Sequence, residues 1–286
     1  MNSFAYYSPR SLRQTFSLFE EIGSGVYLLA GGTDLLVRIK AGRIQPKAVI
    51  DVKGIPELNS GIVKSGQEIH VGALTTMAAI HDDALIGKYF PALSEAVVNI
   101  GSVQIRNRAS IAGNICNASP AADSVPSLLI YGARVSCVSP RGERILALHD
   151  FLLGPGKTAL ARDELLKEVI LPIPQNDQAA AFMRLGRRRG VDLATVNLCC
   201  QVTKSNIARF AVGAAGPVAF IVEDSSGVLT DREVSADQKK ATIVHLMEKA
   251  APISDLRSGK EYRQAMLAVL GQRALTIALD RLQGAQ

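Results

Sequence analysis

The stretch 26-VYLLAGGTDLLVRIKAG-42 decides how the surrounding chain folds. Its start, 26-VYLLA-30, is an apolar run of strand length. Its end, 35-LLVRIKAG-42, places Leu35, Leu36 and Ile39 on one helical face. Between them 30-AGGTD-34 carries two glycines and no bulk. Upstream, apolar residues at Leu12, Phe16, Phe19 and Ile22 predict a helix over 11–23, opened by Ser11 and closed by Gly23. Downstream, 47-KAVIDV-52 predicts a second strand. The order is helix, strand, glycine loop, helix, strand, which makes a small α/β unit.

A glycine loop lets main-chain N–H groups approach an anion with no Cβ in the way. A helix directly after it adds its first N–H groups and its dipole. In this loop Thr33 adds a hydroxyl donor, and Asp34 either caps the helix or accepts from a sugar hydroxyl. On its own, so short a motif is accounted for by a ligand-free turn. A second stretch, 110-SIAGNICNASPAAD-123, shifts that balance. Ser110, Asn114, Asn117 and Ser119 offer donors, Gly113 allows close approach, and Asp123 offers an acceptor near a helix start at Val125. Together the two bends suit a dinucleotide bridging two subdomains, its diphosphate gripped by main-chain amides from both. The fingerprint G-x-G-x-x-G is absent, so the grip is not of the Rossmann kind.

The rest of the chain supplies scaffolding. A hairpin is predicted from 61-GIVKS-65 and 68-EIHVGA-73, and a second from 133-ARVSCVS-139 and 144-RILAL-148 with its turn at 140–143. Helices are predicted over 77–82, with Thr75 or Thr76 as cap, over 91–101, with Pro91 first and Gly101 last, and over 125–132. Strand 168–174 precedes a polar, proline-bearing boundary at 172–178. Beyond it come strands over 181–185, 194–202 and 207–216, then helices over 235–250 and 260–282.

Composition narrows the function classes. A chain of 286 residues, 48% apolar, builds a substantial core and more than one domain. A net charge of +6 with its densest run at 187-RRR-189 is weak for a nucleic-acid binder, and none is expected as partner. No apolar run reaches the length of a membrane span, and the N-terminus carries no leader pattern, so a cytoplasmic location is expected. Cys116, Cys137, Cys199 and Cys200 lack metal-ligand spacing and read as small hydrophobes, so no metal is expected in this chain. Adjacent Cys199 and Cys200 point to opposite faces of one strand.

Three ordered segments, 28-LLAGGTDLLVRIKAG-42, 101-GSVQIRNRASIAGNICNASPAADSVPSLLIYGA-133 and 184-RLGRRRGVDLATVN-197, resemble the FAD-binding medium subunit of the molybdenum hydroxylases. Within that family the xanthine dehydrogenase branch is the most similar, as against the carbon monoxide dehydrogenase type. The resemblance implies an α+β fold: a vanillyl-alcohol-oxidase/p-cresol-methylhydroxylase-type FAD-binding domain over 1–174, with subdomains about 1–54 and 55–174, then a smaller α+β C-terminal domain over 178–286. It implies that Leu28, Leu29, Ala30, Gly31, Gly32, Thr33, Asp34 and Leu35 meet the pyrophosphate. Gly101, Ser110, Ile111, Ala112, Gly113 and Asn114 form the second loop. Asp123 accepts from the flavin ring or ribityl chain, Leu166 lies beside the flavin, Arg184 is a basic flavin contact, and Leu193 lies against the isoalloxazine and governs access to it. Ala112 stands where the family usually has glycine, which is harmless only if its φ is negative.

The resemblance further implies a small [2Fe-2S] subunit and a large molybdopterin subunit as partners. Electrons pass from the clusters to FAD in this chain and on to an acceptor, NAD+, during hydroxylation of a purine or other N-heterocycle. Two other expectations stay open at this level. One is a free-standing FAD-dependent oxidoreductase of the same fold. The other is a basic binding module built on the arginine cluster.

Overall fold

The computed structural model describes residues 3–284. The opening unit forms β1 (Ala5–Tyr7), α1 (Leu12–Ile22), β2 (Val26–Leu29), α2 (Leu35–Lys40) and β3 (Ala48–Asp51). Ser11 caps α1, its hydroxyl accepting from Gln14 N at 3.2 Å, and Gly23 stops it in a left-handed conformation. The three strands make a parallel sheet in the order β1-β3-β2. Central β3 is buried along its whole length, which is why it reads as a continuous apolar run.

An antiparallel sheet follows, built from β4 (Ile62–Ser65), β5 (Glu68–Gly72), β6 (Arg134–Ser139), β7 (Gly142–Ala147) and, after a small ribbon of β8 (Leu152–Gly154) and β9 (Lys157–Thr158), β10 (Leu165–Pro172). Its order is β4-β5-β10-β6-β7. Both expected hairpins form. The second turns more tightly than 140–143, since Ser139 already pairs with Gly142. Strand β10 also begins earlier than residue 168, with Leu165 and Leu166 both buried and a bulge between Leu166 and Glu168.

The helices between β5 and β6 are α3 (Met77–Asp82), α4 (Ala84–Tyr89), α5 (Pro91–Val97), α6 (Val103–Arg106), α7 (Ile111–Cys116) and α8 (Ser124–Ile130); α9 (Leu148–Phe151) follows β7. Thr76 caps α3, and Asp83 caps α4 by accepting from Leu85 N and Ile86 N at 2.9 and 3.0 Å. Two expectations need correction. The helix from Pro91 ends at Val97 and not at Gly101, which instead takes φ +54° in the following turn. The stretch 110–123 is not one loop: Ser110 caps α7, its hydroxyl accepting from Gly113 N at 3.2 Å. Gly113 sits in the first turn of α7, where its cost is small beside the cap.

The C-terminal part is an antiparallel sheet of β11 (Gln178–Leu185), β12 (Val196–Thr203), β13 (Ala208–Gly213) and β14 (Phe220–Asp224), followed by α10 (Ala236–Met247) and α11 (Lys260–Gly284). Along β11, β12 and β13 this sheet is covered on both faces, and period-2 alternation assigns the inward residues to one core or the other. Phe182, Cys199 and Ala211, paired across three strands, join the apolar core of the first part of the chain. Their neighbours Ala181, Cys200 and Phe210 join the core beneath α10 and α11. Cys199 and Cys200 thus face opposite cores, as their adjacency requires. Polar contacts reinforce the seam: Glu95 of α5 pairs with Arg281 of α11 and accepts from Phe182 N at 3.0 Å.

Arg263 is 1% exposed, an unusual place for a guanidinium. It donates to Thr195 O at 2.9 Å and to Asp255 Oδ1 at 2.6 Å. The guanidinium of Arg257, and then that of Arg263, hold the Asp255 carboxyl below its ordinary range. Arg257 stays paired with Asp255 when Arg263 is removed, so the loss is the charged hydrogen bond itself and the donor to the buried Thr195 carbonyl. Arg263→Met is expected to lower unfolding stability by about 2 kcal/mol, with Arg263→Lys retaining part of it, measured as the shift in urea midpoint.

Candidate functional site

The two glycine-bearing segments touch. A Cβ built on Gly31 would lie 2.0 Å from the Arg108 carbonyl oxygen and 3.0 Å from Ala109 Cα, so only glycine lets the loop after β2 lie flat on this backbone. Gly32 follows at φ +78°, where a side chain is strained and would meet Leu29 and Leu36. The 108–111 backbone is itself fixed: Ala109 O accepts from Met77 N at 2.8 Å, and Ile111 N donates to Thr75 O at 2.9 Å. Farther along, Asn117 Nδ2 reaches Asp34 Oδ1 at 3.4 Å.

A cavity of about 380 Å³ opens along this seam. Its wall carries Leu28, Ala30, Gly31, Gly32, Thr33, Asp34 and Leu35 from the first segment, Ser110, Ala112, Gly113 and Asn114 from the second, and Leu166 from β10. Val52, Leu58, Ile100, Ile105 and Leu165 add apolar surface that excludes water. Ala112 is helical and not among the residues with positive φ, so its extra methyl brings no backbone strain.

The two segments contribute differently from the expectation. In the first, Thr33, Asp34 and Leu35 N–H have no protein acceptor among the described residues. Asp34 does not cap α2; its carboxylate turns to Asn117 instead. These orphan donors stand at the cavity wall, where an anion satisfies them. In the second segment the amides are already engaged: Ile111 N with Thr75 O, Ala112 N with Ala73 O, Gly113 N with Ser110 Oγ and Asn114 N with Ser110 O. The expected grip by amides from both bends is therefore one-sided. The α7 segment offers side chains, Asn114 above all, over a Gly113 that presents no Cβ.

Six expected residues do not reach the wall. Leu29 packs behind the loop, beneath Gly32, and Ile111 is buried in the core. Gly101 makes the turn that seats Ile105, whose side chain a Cβ there would meet at 2.6 Å. Asp123 and Arg184 lie buried together, with Arg184 Nε 3.2 Å from Asp123 Oδ2 and Asn197 Nδ2 2.7 Å from Asp123 Oδ1. Burial pushes the Asp123 carboxyl up from 3.8 to about 6, against the pull of Arg184 and Asn197. Burial wins because the guanidinium is shared: its Nη2 donates to the Asp192 carbonyl. Leu193 is 57% exposed, on a loop stapled by Arg187 to Asp192 at 2.7 Å and by Arg188 to the Val191 carbonyl. Two arginines of the 187–189 run thus hold their own loop, which takes them away from the basic-module reading.

Two cations escaped the sequence reading. Arg38 lines the cavity from α2. Lys53 stands behind the loop, its Nζ 2.6 Å from Asp51 Oδ1 and 3.4 Å from Ala30 O, while Tyr6 donates to the other Asp51 oxygen at 2.6 Å. The helical period places Arg38 one turn after Asp34 and was signal enough for the first. Nothing in the sequence marks Lys53.

Residues 2–174 match the family model described as the FAD binding domain in molybdopterin dehydrogenase. The chain belongs to that family, as an FAD-binding medium subunit of the molybdenum hydroxylases. Residues 180–278 match the CO dehydrogenase flavoprotein C-terminal domain. The flavin subunit is 28% identical over 262 residues to a putative xanthine dehydrogenase FAD-binding subunit of Escherichia coli strain K12, covering 90% of each chain. It is 29% identical over 282 residues to the carbon monoxide dehydrogenase medium chain of Hydrogenophaga pseudoflava, covering 97% of this chain and 98% of the other. A solved carbon monoxide dehydrogenase structure from that organism superposes with a TM-score of 0.91 at 29% identity, over 98% of both chains. No helix among the described residues is long and apolar enough to cross a membrane.

The wall fits FAD on its own terms: orphan amides for a diphosphate, amide side chains for hydroxyls and an apolar floor. Gly31→Ala forces the loop off the 108–109 backbone and is expected to weaken FAD binding at least about tenfold in flavin fluorescence titrations, the equivalent of about 1.4 kcal/mol. Gly87→Ala in α4, where a Cβ meets nothing within 4 Å, is expected to leave binding unchanged.

Asp123 gives a pH signature. Its folded pKa is raised, so between about pH 4 and 6 the native state holds more protons than the unfolded chain. Its contribution to stability therefore falls as pH rises through that window. Asp123→Asn should gain on the parent in urea midpoint from pH 4 to pH 6.5. A constant difference over that range would show that burial does not dominate the carboxyl.

Proposed function

We propose that this flavin subunit takes electrons from [2Fe-2S] clusters of a small partner subunit and passes them to NAD+, while a large molybdopterin subunit hydroxylates a purine or other N-heterocycle. The observation that carries the reading is the convergence at Gly31, which turns two segments distant in sequence into one anion-ready cleft. When bound, FAD supplies the redox chemistry, taking electrons singly and releasing them as a pair.

The chain's own residues do the rest. Thr33, Asp34 and Leu35 N–H bind the diphosphate. Asn114 and the Ser110 hydroxyl address the sugar-like chain, and Leu28, Ile105 and Leu166 keep water out. Asn114 also ties the wall to the buried cluster, since its Oδ1 accepts from Ser124 Oγ at 2.6 Å, next in sequence to Asp123. Asp123 and Arg184 set the polarity at the flavin edge of the cleft. Leu193, outward on its stapled loop, governs access of the acceptor. Residues 1–174, as subdomains about 1–54 and 55–174, form the FAD-binding unit, and 178–286 the unit that carries Leu193. The assembly works in the cytoplasm, where NAD+ is supplied.

The test is made on the complex. Leu193→Trp is expected to slow NAD+ reduction by the substrate-reduced complex several-fold while FAD content stays unchanged. Equal turnover in parent and variant would remove Leu193 from this role. Oxidation of the N-heterocycle by the flavin subunit alone would overturn the electron-relay reading.

A further inference from the structure

All of the cavity-lining residues but one belong to the two segments or to the apolar wall. The exception is Arg38. It is the sole Lys or Arg on the cavity wall, it is exposed, and among the described residues its guanidinium makes no hydrogen bond or ion pair. Several arginines away from the cleft are committed, Arg184 to Asp123, Arg187 to Asp192, Arg257 and Arg263 to Asp255 and Arg281 to Glu95, and those that are not, such as Arg108, do not line the cavity. An arginine left free beside a cleft, with five donors in a planar fork, matches a phosphate oxygen pair.

The charge balance of the wall sharpens the point. A diphosphate brings negative charge to a loop that already holds the Asp34 carboxylate. Asp34 lies one helical turn before Arg38 on the same face of α2. Its oxygen is engaged by Asn117 at 3.4 Å and not by Arg38. Lys53, the nearest cation behind the loop, is closed on Asp51 at 2.6 Å. The orphan amides of 33–35 supply direction and partial charge but no net charge, so among the described residues Arg38 is the wall's only source of a full positive charge.

From this the geometry points to Arg38 as an unassigned ligand contact of the cleft, which neutralises the diphosphate of the bound dinucleotide and thereby sets the preference for FAD over flavins without a diphosphate. The inference rests on the FAD reading of the cleft. It concerns binding alone and adds no redox step.

The test is a titration of the flavin-free full chain with FAD and, separately, with riboflavin, at two salt concentrations. Arg38→Gln is expected to weaken FAD about tenfold, the loss of one charged hydrogen-bonding contact, and to flatten the salt dependence of FAD binding. Riboflavin affinity should not change. Arg38→Lys, which keeps the charge, should recover most of the loss. The side chain is exposed, so the thermal midpoint of both variants should match the parent. Unchanged FAD affinity in Arg38→Gln, or equal losses for FAD and riboflavin, would overturn the inference while leaving the cleft an FAD site. A parent chain that binds neither flavin would overturn the FAD reading and this inference with it.

Discussion

The close contact between Gly31 and the backbone of Arg108 and Ala109 is the constraint from which the site follows. Without a Cβ, the loop leaving β2 rests on a segment almost eighty residues away. That segment is in turn anchored to the turn after β5 and the start of α3 through Thr75 and Met77. The parallel sheet, the antiparallel sheet and α7 are thereby locked around one cavity. Any side chain at Gly31 would open the seam, because the atom it meets is main chain and has no rotamer to give.

Given that contact, a division of labour between the two segments becomes intelligible. The 30–35 loop keeps its N–H groups unpaired because it lies between a strand that has ended and a helix that has not yet begun. The 110–114 segment has no such freedom. Capping by Ser110 and docking onto Ala73 and Thr75 consume its amides, and what remains is a flat, side-chain-poor surface with Asn114 and Asn117 projecting. One side of the cleft therefore recognises charge and the other recognises shape and hydroxyls. The free guanidinium of Arg38 completes the charged side.

The C-terminal sheet is coupled to the same core and not appended to it. Strands β11, β12 and β13 alternate between two cores, so Phe182, Cys199 and Ala211 press against α5 and α8 while Ala181, Cys200 and Phe210 press against the terminal helices. The Asp123–Arg184–Asn197 cluster lies at this seam. Burial disfavours the charge of this carboxyl, and its neighbouring guanidinium is divided between two acceptors, Asp123 and the Asp192 carbonyl.

Local chemistry was sufficient for the strands and helices whose period is strong: α1 with Ser11 and Gly23, both hairpins, β12 with its paired cysteines, and the long α11. The family motifs likewise brought the 28–35 and 110–114 residues to notice before any geometry was known. Sequence fell short where tertiary packing outweighs local preference. Gly113 hid α7, whose stability comes from the Ser110 cap and from burial of Ile111 and Ile115. Strand β14, half exposed and short, carries little apolar signal of its own and exists because β13 offers it an edge. Which amides stay free, that Asp34 turns to Asn117, and that Arg38 is left without a partner while Lys53 is not, were decided only when distant segments met. Hydrogen-bond partners across such distances are chosen by the fold, and no spacing along the chain encodes them.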